Sequence, residues 1–182
     1  VLELLQNADD AGADLDDGCK VVFSLDRNRL VVANTGALFT HDGLMSLVIS
    51  DCSPKQLDRN RFIGCKGLGF RAVLTWTDRP LIVSGSLRVC FDRQAATRYV
   101  ESLAEKGAQR VGDFHQSVGR WPVPVMRFPL LPAEDDQDLQ VARRFQDMGF
   151  TTVVVLPLPA GDRGEEVLGE AQKQLSELPT SA

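Results

Sequence analysis

Apolar and polar positions fall at helical spacing from the first residue of the chain. In Val1-Leu-Glu-Leu-Leu-Gln-Asn-Ala-Asp-Asp-Ala11, the residues Leu2, Leu5 and Ala8, flanked by Val1 and Leu4, gather on one side of a helix, where a core would take them. Glu3, Asn7 and Asp10 stand at i, i+4 and i+7 and stack on another face. Ala11-Gly12-Ala13 reads as the stop, because glycine is the usual residue just past a helix end. After a polar turn over 14–18, Lys20-Val-Val-Phe-Ser-Leu25 and Arg29-Leu-Val-Val-Ala33 are short β-rich runs joined as a hairpin by Asp26-Arg27-Asn28. Asn34-Thr35-Gly36 breaks the second strand. Thr40 is placed to cap a helix whose apolar positions are Leu44, Leu47 and Val48.

The second half carries weaker punctuation. Residues 50–62 form a long polar stretch of the kind found in functional lids or disordered segments. A glycine-rich run, Ile63-Gly-Cys-Lys-Gly-Leu-Gly-Phe70, follows, with a helical start at Arg71-Ala-Val-Leu74. The pattern then predicts strands over 80–84 and 87–91 and a helix over 95–107. Residues 112–121 read as irregular, and the prolines at 122, 124 and 129 reduce 123–131 to an edge strand at best. The acidic run 134–138 reads as a solvated helix start. Thr151-Thr-Val-Val-Val-Leu156 is apolar enough for a central strand, and 164–178 reads as a closing helix.

Composition narrows the class. The chain has 182 residues, 43% of them apolar and 25% charged, enough for one α+β or α/β domain with a sizeable core. A net charge of −5 gives no broad electrostatic grip on nucleic acid or an anionic membrane. The four cysteines (Cys19, Cys52, Cys65, Cys90) contain no CxxC pair, and only two histidines are present, which points to reduced thiols in a cytoplasmic protein rather than a zinc site. No apolar run reaches the ~20 residues of a membrane span. A start without Met inside an uncapped helix, and a Leu-Pro-Thr-Ser-Ala end, read as a domain excised from something longer.

Two stretches carry chemistry. A carboxylate, an amide and a second carboxylate in one helical row are either a solvated face or a set of oxygens turned to a ligand such as Mg²⁺, which binds few protein oxygens while bridging phosphates. Gly64-x-x-Gly67-x-Gly69 precedes a helix start, where backbone N–H groups and the helix dipole suit an anion. A packing-driven glycine turn is the plain alternative. The run is neither a P-loop, which needs Gly-Lys-Ser/Thr, nor a dinucleotide fingerprint, which follows a strand.

The order of these pieces is more specific than any one of them. Glu3-x-x-x-Asn7-x-x-Asp10, Asn34-x-Gly36, Gly64-x-x-Gly67-x-Gly69-Phe70 and Gly149-x-x-Thr152-Val-Val-Val-Leu156 resemble the GHKL superfamily of DNA gyrase B, the ninety-kilodalton heat-shock chaperones, histidine kinases and MutL. Glu3-Leu-Leu-Gln-Asn-Ala-Asp-Asp-Ala-Gly-Ala13, Ala33-Asn-Thr-Gly36 with Phe39-Thr40, and Thr152-Val-Val-Val-Leu-Pro-Leu158 are most similar to sacsin, the plant NO VEIN-like proteins and bacterial proteins with a sacsin-like ATP-binding domain. The resemblance covers 3–158. It implies the Bergerat fold: a two-layer α+β sandwich, helices on one face of a mixed, mostly antiparallel sheet, with ATP between the layers. Domain limits follow as 1–160 for the ATP-binding domain, with a lid over about 38–66, and 161–182 for a C-terminal helix and tail.

Roles carry over by position. The resemblance makes Glu3 the general base, Asn7 the Mg²⁺ ligand and Asp10 part of the pocket wall. Gly64, Gly67, Leu68, Gly69 and Phe70 offer backbone amides to the phosphates, and Lys66 adds charge. Asn34 and Gly36 replace the superfamily's Asp-x-Gly at the adenine, which Thr152 meets from the central strand. Asn34 is the departure: its amide can accept from an exocyclic amine or donate instead. The implied function is an ATP-binding, slowly Mg²⁺-dependent hydrolysing module that drives lid closure and conformational change in a chaperone-like parent. It would act on a protein client or neighbouring domains, and dimerisation through missing segments is open. The alternatives are a non-hydrolysing nucleotide sensor or scaffold, and the ATPase module of a DNA-linked defence or repair protein. Histidine-kinase phosphotransfer ranks low, since no helix with a phosphoacceptor histidine precedes the fold.

Overall fold

The computed structural model describes residues 1–13, 18–49 and 69–178. Its centre is a six-stranded sheet in the order β1-β2-β6-β3-β4-β5, and every pairing in it is antiparallel, in line with the mostly antiparallel sheet expected and without the parallel pair that a mixed one would add. The strands are β1 (Val21–Leu25), β2 (Arg29–Asn34), β3 (Leu81–Ser84), β4 (Leu87–Phe91), β5 (Pro129–Leu130) and β6 (Thr152–Pro157). The Asp26 carboxylate closes the first hairpin by accepting from the amides of Asn28 at 2.7 Å and Arg29 at 2.9 Å. β6 lies between β2 and β3, the central place its unbroken apolar run predicts. β5 is a two-residue edge strand, as the surrounding prolines require.

The helices are α1 (Leu2–Gly12), α2 (His41–Val48), α3 (Arg93–Glu105), α4 (Gln109–Val118), α5 (Gln137–Asp147) and α6 (Asp162–Ser176), and the architecture is α+β. Strand alternation divides the core in two. Leu30, Val32, Ile82, Val89, Phe91 and Leu156 pack under Leu4 of α1, Leu47 of α2, and Val167 and Ala171 of α6. Val31, Ala33, Leu81, Val83, Val153 and Val155 point the other way, onto Leu139 and Ala142 of α5. The main helical layer is thus on one face, and α5 covers the reverse face. α6 shares the core of α1, so residues 162–176 belong to the same packed unit.

Several local expectations change. Ala8 is buried as expected, but Leu2 is 59% exposed and Leu4 meets the core instead, roughly 200° around the helix from Leu2. Gly12 is the last residue of α1, not the residue past it. A Cβ there would lie 2.2 Å from the Cys19 Cβ, so glycine is required by close approach. The helical start at 71–74 is a 3₁₀ segment, Gly69–Thr75. Phe70, Val73 and Trp76 are buried at three-residue spacing, which a three-residue turn brings onto one side. Most of the stretch read as irregular is α4, a helix whose apolar residues Val111, Phe114 and Val118 recur at helical spacing although none is fully buried.

Candidate functional site

The register of the central strands builds a polar row where an apolar one would be usual. Asn34 of β2 pairs with Thr152 of β6, and Thr152 pairs with Ser84 of β3, so the three side chains lie side by side on one face. It is the face of Leu30, Val32, Ile82 and Leu156, the one that α1 covers. All three are buried: Asn34 is 6% exposed, Thr152 9% and Ser84 3%. A buried polar group without a partner costs about 1–3 kcal/mol, so the row must be satisfied or held ready for something.

Most of it is satisfied. The Ser84 and Thr152 hydroxyls are 2.6 Å apart, and the Phe39 amide donates to Ser84 Oγ at 2.8 Å. The Asn34 amide nitrogen donates to Cys19 Sγ at 3.8 Å. Asn34 Oδ1 has no hydrogen-bond partner among the described residues. Cys19 and Ser84 carry no motif and were missed in the sequence; the only signals were a serine ending the apolar run Leu-Ile-Val and a cysteine closing a polar turn.

The row is tied to α1 through the backbone. Thr151 donates from its amide to Asn34 O at 2.9 Å, and its hydroxyl reaches Asn34 O at 3.0 Å and Gly36 O at 2.7 Å. The Ala37 amide then donates to Ala11 O at 2.7 Å. A Cβ on Gly36 would lie 2.7 Å from the Ala11 carbonyl carbon and oxygen. Gly36 therefore serves the docking of this turn on the end of α1.

On α1, Asp10 is 9% exposed, Asn7 is half-buried and Glu3 is exposed. Glu3 and Asn7 make no side-chain hydrogen bond to another described residue. From Ala11, beside the Asn34–Gly36 turn, back to Glu3 the helix runs about 12 Å. Gly69 opens the 3₁₀ segment that packs beside α1, and Phe70 is buried against the same core as Leu4. Gly64, Lys66, Gly67 and Leu68 lie outside the described residues, as does 50–66 of the expected lid. Of that lid, 38–49 is described: Thr40 Oγ1 caps α2 by accepting the Gly43 amide at 3.1 Å.

The acidic run opens α5, as expected; its Glu134 and Asp135 are exposed, whereas Asp136 and Asp138 are partly buried and belong to a separate ion-pair cluster. Asp136 caps α5 by accepting from the amides of Asp138 and Leu139, and it also pairs with Arg79. Arg79 further reaches Asp92 at 3.4 Å and Asp138 at 3.4 Å, and Arg29 meets Asp138 at 3.3 Å. Burial alone would raise the Asp136 carboxyl, but the Leu139 amide and Arg79 hold it below its usual range. At Asp138 burial prevails over Arg29 and the group is raised. Burial also pushes up the Cys90 thiol, 3.9 Å from Arg79. A shallow concavity of about 640 Å³ near α3 is lined by Asp78, Arg79, Asp92 and Arg93, which already pair with one another or with neighbours. It opens before the start of β3, whereas Ser84 ends that strand.

Among the described residues no three His, Cys, Asp or Glu side chains gather as a metal cage, and no helix is long and apolar enough to cross a membrane. No protein-family model and no curated protein matches the chain.

Proposed function

We propose that the chain is a Mg²⁺-dependent ATP-binding module of the GHKL type, nearest the sacsin-like branch, with slow hydrolysis serving a conformational output. One observation carries the reading. The buried row Asn34–Thr152–Ser84 faces α1 and contains an amide oxygen without a described partner. Such an acceptor suits the exocyclic amine of adenine. The 12 Å of α1 leading from the Asn34–Gly36 turn to Glu3, about eight residues at helical rise, suits an extended ligand with its base at one end and its phosphates at the other.

The residues present fit Mg²⁺. Asn7 offers a half-buried amide oxygen, and this ion needs only one or two protein oxygens when phosphates and water supply the rest. Glu3, exposed and free of side-chain hydrogen bonds to other described residues, suits a base that polarises water. The glycine run 64–69 supports the reading from sequence alone.

Calorimetric titration of the chain with Mg·ATP, beside Mg·GTP, tests the proposal. Saturable binding that favours ATP is expected, and Glu3→Ala should keep that binding while losing turnover. Absence of ATP binding overturns the nucleotide reading; turnover unchanged in Glu3→Ala overturns only the assignment of the base.

A further inference from the structure

Asn34 poses a question that an aspartate would not. A carboxylate can only accept, whereas an amide presents an acceptor or a donor depending on which way it is turned. Turned one way it matches a 6-amino purine; turned the other it matches a 6-oxo purine. Something outside the ligand must set the orientation.

Cys19 is built to do so. Its S–H can donate to the Lys20 carbonyl at 3.7 Å, and in that rotamer it presents sulfur lone pairs toward Asn34. The Asn34 Nδ2 group donates to that sulfur at 3.8 Å. With the opposite amide orientation the thiol would have to turn its proton from Lys20 O to Oδ1 and lose that contact, so the pair of bonds Nδ2–H to sulfur and S–H to Lys20 O favours Oδ1 facing away from Cys19. Cys19 is itself held on two sides. Its Cβ packs against Gly12 at the end of α1, and the neighbouring Lys20 donates its amide to Thr35 Oγ1 at 3.0 Å and accepts the Thr35 amide on its carbonyl at 3.0 Å.

We infer that Cys19 is a specificity-determining positioning residue: by engaging the Asn34 amide nitrogen it turns Oδ1 toward the ligand, so that the pocket demands a 6-amino purine. The inference rests on the nucleotide reading above. It assigns to the Cys19–Asn34 pair the discrimination that a single carboxylate would supply.

The test compares Mg·ATP and Mg·GTP affinities by calorimetry for the wild-type chain, Cys19→Ala, Asn34→Asp and the double variant. Alanine keeps the Cβ that packs on Gly12, and a melting curve for each variant reports any structural loss separately. Cys19→Ala should narrow the ATP-to-GTP affinity ratio about fivefold, partly through tighter GTP binding, because the freed amide can turn over. In the Asn34→Asp background the same change should leave the ratio where it was. A ratio unmoved by Cys19→Ala overturns the inference, as does an equal shift in the Asn34→Asp background. Wild-type protein that binds ATP and GTP alike also overturns it while leaving the nucleotide reading standing. Binding of neither overturns both.

Discussion

Ser84 Oγ lies 2.6 Å from Thr152 Oγ1, with both residues buried on neighbouring strands, and the same Ser84 oxygen receives the Phe39 amide at 2.8 Å. One hydroxyl therefore joins the middle of the polar row to the segment that enters α2.

Ser84→Ala should leave the Thr152 hydroxyl and the Phe39 amide without this partner. Two such losses amount to about 2 kcal/mol, a fall in Tm of roughly 4–8 °C for a chain of this size. Thermal unfolding followed by circular dichroism reads the change directly. An unshifted Tm would mean that water replaces the hydroxyl at no cost and that the row is not closed.

The glycines give a sharper contrast. A Cβ on Gly36 would strike the Ala11 backbone at 2.7 Å, and neither backbone can yield without losing the bond between Ala37 and Ala11. Gly36→Ala should cost about 1–3 kcal/mol. Gly112 lies within α4, and a Cβ added there would meet nothing within 4 Å, so Gly112→Ala should stabilise by about 0.5–1 kcal/mol. Urea unfolding of the two variants should move the midpoint in opposite directions; movement in the same direction would refute the close-approach account of Gly36.

What the sequence made legible follows the physics of each signal. β6 and the first hairpin announce themselves through apolar runs bounded by turn residues, and α2 through its Thr40 cap. The face of α1 toward the core did not, because Leu2 and Leu4 are equally apolar and only packing decides between them. Asn34, Gly36 and Thr152 could be singled out by motif, and the register brings Asn34 and Thr152 together. Their partners Cys19 and Ser84 could not, since a hydrogen bond across 15 or 68 positions leaves no local pattern. The ion pairs of Asp136 and Asp138 were hidden for the same reason: Arg79 and Arg29 are far away along the chain.

Those ion pairs predict opposite pH responses. Asp136 is held below its ordinary value, so its contribution is present above the unfolded pKa and is lost as pH falls through the folded one. Asp138 is raised, so its contribution is fully present at low pH and is lost as pH rises through the folded pKa. Asp136→Asn should flatten the acid limb of a Tm-against-pH curve, and Asp138→Asn should steepen it. Equal slopes in the two variants would show that the Arg79 cluster does not govern acid stability.

Asn34→Asp separates the stability of the empty fold from the affinity of its pocket. A carboxylate introduced at a position only 6% exposed loses hydration, and the Cys19 thiol beside it, directed at Lys20 O, is a weak donor that compensates little. The unliganded chain should therefore melt at a lower temperature, by an amount that shrinks as the pH is lowered and the new acid takes up a proton. An exocyclic amine would supply the missing donor, and a charge-assisted bond is roughly twice as strong as a neutral one. Mg·ATP should then bind about fivefold more tightly than to wild type, with Mg·GTP, which presents an oxygen at that edge, binding more weakly. Calorimetry beside melting curves with and without nucleotide gives both quantities. Loss of stability together with unimproved ATP affinity would place the base somewhere other than beside Asn34.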